Sequence, residues 1–215
     1  MMGLARWPLS RLTGLTFWKL CGSGTGEGFT PRPNTAVWGI LCVWRDAATA
    51  KATLKTARPF TWYRQVACEH WTVYLRPTSA RGAWSGQSPF DAHDPTGTPI
   101  TAALTRATIK PRILLQFWRR VPRISDVIGT NTDVLMKIGL GEVPFLHQIT
   151  FSIWPDTHTM AEFARRPGPH AEAIAAVRDG KWFREELYAR FDVLEETGHW
   201  EGKHPVVTQE GQDNS

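Results

Sequence analysis

Hydrophobic and polar positions follow two periods along this chain, and both are clearest between Phe145 and Val193. FLHQITFSIW (145–154) is dense in β-branched and aromatic residues, and His147, Ile149 and Phe151 alternate onto one face, which predicts a half-buried strand. Pro155 stops it. Asp156 and Thr157 are N-cap types ahead of Met160, Phe163 and Ala164, whose spacing of three and four gives one apolar helical face. Pro167 and Pro169 flank Gly168 and end that helix. His170, Ala173, Ile174 and Val177 then fall at i, i+3, i+4 and i+7, the apolar stripe of a second helix, while Glu172, Arg178 and Asp179 lie elsewhere around it. A histidine at the head of such a stripe is either a core imidazole or a ligand to something held in a cavity. KWFREELYARFDV (181–193) closes the unit as a second strand.

The pattern occurs twice. Shifted by 110 residues, VWRDAATAKATLKTARPF (43–60) lies over IWPDTHTMAEFARRPGPH (153–170), with Trp44 on Trp154, Asp46 on Asp156, Thr49 on Thr159 and Pro59 on Pro169. Phe60 falls on His170, so that histidine belongs to one half only. Upstream, Lys19, Leu20, Gly22 and Gly24 answer Lys137, Ile138, Gly139 and Gly141 with one residue of slip; downstream, HWTVYLRP answers EELYARFDV.

Each half therefore reads as helix, strand, strand, helix, strand. The second has one element more, because ATIKPRILLQFWRRV (107–121) is strand-like ahead of a helix over VPRISDVIG, which completes the order β-α-β-β-α-β. The expected architecture is α+β, with tandem ferredoxin-like repeats forming a dimeric-α/β-barrel-like assembly whose first half lacks its opening strand. That strand, at a shift of about 118 by the same repeat argument, would precede Met1. Its absence should leave an unpaired sheet edge at Val37–Trp44 or Trp71–Leu75. The predicted divisions are a first half over 1–77, a linker with little regular structure over 78–106, a second half over 107–194, and an acidic disordered tail over 195–215.

Composition sharpens this picture in three places. There are 11 Trp in 215 residues, so wide aromatic surfaces must sit in a core or line a pocket for a large flat or polyene ligand. The net charge of +5 is uneven: residues 1–120 hold 16 Lys and Arg against 5 Asp and Glu, whereas residues 195–215 hold 1 against 5. A basic first half could meet an anionic membrane surface, but no Lys/Arg run, RNP pattern or zinc-finger spacing points to nucleic acid. Cys21, Cys42 and Cys68 lack CxxC or Cys/His metal spacing, which fits a reducing cytoplasm. No apolar run is long enough to span a bilayer, so any membrane contact is expected to be peripheral.

Two motifs carry less chemistry than they suggest. GSGTGEGF (22–29) lacks the Gly-Lys-Ser/Thr ending of a phosphate loop and reads as a hairpin or bulge needing positive φ. Glu185 and Glu186 read as strand-edge or surface carboxylates rather than an acid/base pair.

FWKLCGSGTGEGFTP, TRATIKPR, KIGLGEVP, QITFSIWPD and GPHAEAIAAVR followed by WFREELYARF resemble, in order, the spheroidene monooxygenase family of carotenoid ketolases, over about Met2 to Val193. The resemblance implies a haem b oxygenase that uses dioxygen and an electron donor such as a ferredoxin system to place keto groups on an acyclic carotenoid. It also implies a cytoplasmic protein with peripheral contact to the inner membrane. A haem enzyme needs one protein ligand on iron. His170 is the leading candidate, with His147 as an alternative lining residue and a cysteine thiolate as the third option. Lys137, Arg166 and Arg184 are expected propionate partners, and Trp154 and Trp182 expected walls of a polyene channel.

Overall fold

A computed structural model describes residues 2–26, 30, 32–118, 133–165 and 182–206. Seven antiparallel strands form one curled sheet: β1 (Leu15–Gly24), β2 (Pro33–Trp44), β3 (Trp71–Gly82), β4 (Thr101–Ile109), β5 (Met136–Gly141), β6 (His147–Trp154) and β7 (Phe183–Gly198). Their order across the sheet is β2-β1-β5-β6-β4-β7-β3. Helices α1 (Arg6–Leu9), α2 (Ala47–Thr56), α3 (Arg58–Val66) and α4 (Thr157–Arg165) lie beside it.

The repeat seen in the sequence is visible in the local chemistry. Asp46 caps α2 by accepting from the Thr49 amide at 2.7 Å and the Thr49 hydroxyl at 2.8 Å. Asp156 makes the same pair of contacts with Thr159, at 2.7 and 3.0 Å. Equivalent strands also meet: β1 touches β5 at Gly22↔Gly141 and Ser23↔Leu140, and β3 runs the length of β7 from Trp71↔Gly198 to Gly82↔Leu187. Among the described residues, three strands come from residues 1–82 and four from the remainder.

Alternation along each strand divides the side chains into two layers. The concave layer is apolar, with Phe17 and Cys21 from β1, Met136 and Ile138 from β5, Ile149, Phe151 and Ile153 from β6, Ala102 and Leu104 from β4, and Leu187, Ala189 and Phe191 from β7. On the convex side of β1 and β2, Trp18, Leu20, Ile40, Cys42 and Trp44 pack under α1 to α3 around Ala5, Leu9 and Phe60. The edges of the sheet are β2 and β3, the two expected to lack a neighbour, and Val37, Leu41 and Val43 from one and Trp71, Val73 and Leu75 from the other border the same core.

Three predicted divisions are corrected. Residues 78–106 are an irregular connection only over 83–100, where Trp84 and Phe90 are nevertheless buried: β3 runs on to Gly82, and β4 begins at Thr101 in the middle of the sheet between β6 and β7. Its Gly, Pro, Ser and Thr content hides an alternation (Ala102, Leu104, Arg106) that pairing on both sides stabilises against weak propensity. Nor does the strand extend over 107–121. It ends at Ile109, because Pro111 has no amide to donate and begins a 3-10 turn, Pro111–Ile113. The helix predicted over 121–129 lies outside the described residues. Finally, the acidic tail is ordered at its start, since β7 reaches Gly198 and Glu195 pairs with Lys51 of α2.

The glycine-rich stretch after Gly22 is the β1–β2 connection. The register shifts between Gly22 and Ser23, and Gly26 has φ of +65°, so the positive-φ hairpin reading holds.

Candidate active site

Two regions bear on chemistry, one on each face of the β4–β7 half of the sheet. On the convex face the register sets mostly small side chains side by side: Gly139, Thr150 and Thr105 form one row, and Ser152 and Ala103, with Lys137 at their β5 side, the next. Larger side chains border these rows: on β7, Tyr188 stands beside Thr105 and Arg190 beside Ala103. Trp154 donates to the Ser152 hydroxyl at 2.9 Å and packs on Phe163 of α4, ring centroids 5.1 Å apart. Lys137 thus shares a face with Trp154 through Ser152.

Trp182 and Arg184 lie at the other end. The Trp182 carbonyl accepts from the Lys110 amide at 3.0 Å, and its indole packs with Ile109 and Phe117. Arg184 is exposed, in the bulge where β7 slips against Thr108 and Ile109. Trp154 is level with Thr101, and Trp182 immediately precedes Phe183, which is level with Ile109, so their backbone positions stand about 26 Å apart along β4 at roughly 3.3 Å per strand residue. The structure therefore joins Lys137 with Trp154, and Arg184 with Trp182, but not the two pairs with each other. His170 and Arg166 lie outside the described residues, in the connection between α4 and β7.

The concave face holds a charged cluster at the mouth of the apolar core. Arg106 projects inward from β4, 2% exposed, and is hydrogen-bonded to Glu185 while its other amino nitrogen lies 3.8 Å from Glu142. Its guanidinium carbon stands 5.7 Å from the centre of the Trp84 ring. Glu142 accepts from the Trp84 indole at 2.6 Å, meets Lys19 at 3.1 Å and faces His147 Nδ1 at 3.4 Å. Glu185 accepts from the backbone amides of Ser85 and Gly86 at 3.0 and 2.7 Å. Those residues have φ of 56° and 72° and form the two-residue turn of a hairpin closed by Trp84 and Gln87, so the carboxylate sits on a concave pair of N–H groups.

Burial pushes the Glu142 pKa up, but His147, Trp84 and Lys19 outweigh it and bring the group down to about 2. Burial likewise acts against Glu185, and the Gly86 and Ser85 amides with Arg106 bring it below the ordinary carboxylate value. A carboxylate with a depressed folded pKa adds stability above its unfolded value, about 4.5, and that stability is lost as pH falls toward 2. Glu142→Gln is therefore expected to flatten the fall in melting temperature between about pH 4.5 and 2, measured by calorimetry at a series of pH values. An unchanged slope would mean that Glu142 is not held in this cluster.

Sequence reasoning placed Glu185 at a strand edge or surface, and the structure corrects that: it faces inward, while Glu186 is exposed. Arg106 and Trp84 were missed because they lie in the stretch taken as a linker. The available signal was an arginine in the apolar register of Ala102 and Leu104. Cys21 and Cys42 are poor thiolate candidates: burial raises both to about 12, with Glu142 adding to the effect at Cys21. Among the described residues no group of three or more His, Cys, Asp and Glu is placed to hold a metal ion.

No family model matches the chain. The curled α+β half-barrel is shared with solved structures of aldoxime dehydratase, at a TM-score of 0.56 with 8% identity over 90% of this chain and 74% of that one. This likeness defines a fold class. A sequence relative from Rhodobacter capsulatus described as spheroidene monooxygenase is 46% identical over 211 residues, 97% of this chain and 88% of the relative. One from Cereibacter sphaeroides with the same name is 55% identical over 193 residues, and one from Rubrivivax gelatinosus is 37% identical over 191. The chain belongs to the spheroidene monooxygenase family. It spans 59% of the length of the Cereibacter relative.

Proposed function

We propose that this chain is the working part of a haem-dependent monooxygenase that introduces keto groups into an acyclic carotenoid, consuming dioxygen and reducing equivalents. Family membership at 46% identity over nearly the whole chain is the observation that carries the reading. The convex face fits a flat macrocycle in one respect: Gly139, Thr150, Thr105, Ser152 and Ala103 offer a patch of small side chains between Lys137 on β5 and Tyr188 and Arg190 on β7, in the half where the sequence repeat sets His170 against Phe60. Were haem bound, His170 would donate to its iron and Lys137 and Arg166 would pair with its propionates; Arg184, level with the far end of β4, would not reach the same edge as Lys137. Bound haem would supply oxygen activation at a substrate C–H bond.

The chain's own residues would do the rest. Trp154 and Trp182 bracket the length of β4, and an elongated polyene is among the few ligands able to touch both. Apolar walls would keep water from the reacting carbon. Two successive hydroxylations of one allylic carbon, each using one dioxygen and two electrons, give a gem-diol that loses water to a ketone. The two halves read as tandem ferredoxin-like repeats, a reading supported by the matched Asp46 and Asp156 caps and the order β5-β6-β4-β7. No described helix is long and apolar enough to cross a membrane, and we take the contact with the carotenoid-bearing bilayer to be peripheral.

Incubating the haem-supplemented protein with an acyclic carotenoid, a reducing system and ¹⁸O-labelled dioxygen tests the reaction. A ketone carrying ¹⁸O by mass spectrometry is expected; unlabelled product, or none with haem fully bound, contradicts it.

A further inference from the structure

The first half presents a surface that is apolar and cationic at once. The 3-10 turn Met2–Ala5 and α1 bury Ala5 and Leu9 against Phe60 of α3. Helical winding therefore turns Leu4 and Trp7 outward, where they are 80% and 65% exposed. Single exposed apolar residues are ordinary, but these two stand one turn apart on the same short element. The Arg11 guanidinium stacks 3.6 Å from the centre of the Trp7 ring. Arg6 is exposed beside them, and Arg58 is exposed at the head of α3, the helix against which α1 packs.

The segment that carries the patch adds no negative charge of its own, since residues 1–26 contain no Asp or Glu. The chemistry selects the occupant. An apolar groove on a protein would accept Leu4 and Trp7 but leave the arginines facing it unpaired. An acidic peptide would match the arginines but not the two apolar tips. The surface of an anionic bilayer matches both: indole and isobutyl groups enter the headgroup boundary while guanidinium groups stay at the phosphates.

We propose that Leu4, Trp7, Arg6 and Arg11, with Arg58 beside them, form the surface by which this protein docks on anionic lipid bilayers. The inference rests on the ketolase reading only for its purpose, which is access to a carotenoid dissolved in the membrane. Docking by a few side chains rather than a spanning helix leaves the sheet outside the bilayer.

Flotation of the full chain with phosphatidylcholine vesicles, with and without phosphatidylglycerol, tests it. Wild type is expected to float with the anionic vesicles at low salt. The pair Leu4→Ser and Trp7→Ala should weaken that binding about tenfold or more. The pair Arg6→Gln and Arg11→Gln should remove most of its salt dependence, and Trp38→Ala, exposed elsewhere on β2, should bind as wild type. Far-UV circular dichroism checks that each variant is folded. A Leu4/Trp7 variant that floats like wild type overturns the proposal, and so does a wild type that ignores anionic vesicles because another part of the protein covers the patch. Flotation needs no haem, so an inactive protein still tests the surface. Conversely, an active enzyme whose Leu4/Trp7 variant works on carotenoid in detergent but fails on vesicles supports it.

Discussion

Replacing Arg106 with alanine is expected to destabilise the fold by about 3–5 kcal/mol, the usual cost of leaving buried charges without their partner. Two carboxylates depend on this guanidinium: Glu185, to which it is hydrogen-bonded, and Glu142, 3.8 Å from its second amino group. Without the cation Glu142 keeps Lys19, His147 and the Trp84 indole, whereas Glu185 keeps only the Ser85 and Gly86 amides, so the negative charge stranded at the mouth of the apolar core is chiefly that of Glu185. The loss extends beyond the ion pairs, because the same cluster ties five elements together: β1 through Lys19, β4 through Arg106, β6 through His147, β7 through Glu185, and the hairpin carrying Trp84. Trp84 is 1% exposed and meets Phe17 edge to face at 5.6 Å, so displacing it opens the core. At roughly 2–4 °C per kcal/mol for a domain of this size, the melting temperature should fall by about 10 °C. A triple variant, Arg106→Met with Glu142→Gln and Glu185→Gln, should recover much of that loss, since it removes the charges together. If Arg106→Ala melts within about 2 °C of wild type, the charges are not buried as described.

The second large effect concerns His170. Alanine there should abolish haem binding and ketone formation while the far-UV circular dichroism and melting temperature stay near wild type. His147→Ala is the matched control. His147 lies on the concave face, with Nδ1 toward Glu142, whereas the patch of small residues proposed above for the haem is convex. His147→Ala should therefore change acid stability through Glu142 and leave the haem in place. A His170→Ala protein with undiminished haem and activity would move the ligand to another residue.

How far the sequence alone could reach is clearest from three elements. The helix starts at Asp46 and Asp156 were legible because capping is a local matter, decided by a carboxylate and an amide three residues on. Strand β6 was legible for a similar reason, its β-branched and aromatic alternation being strong enough to stand alone. Strand β4 was not: TAALTRATI is small, polar and framed by Gly and Pro, and it becomes a central strand only through β6 and β7 pairing on its two sides. Glu195 and Glu196 tell the same story, since their charge suggested a solvated tail, yet Lys51 and the Trp71 indole receive them. At the candidate site, the side of the sheet that holds the small residues follows from alternation. The distance between Trp154 and Trp182 required the register.

The most direct test of the whole account is the absorption spectrum of the protein purified after expression with added haem. A Soret band, with a pyridine haemochrome of the b type at one haem per chain, is the predicted result. A correctly folded protein that takes up no haem under these conditions would contradict the oxygenase reading at its centre.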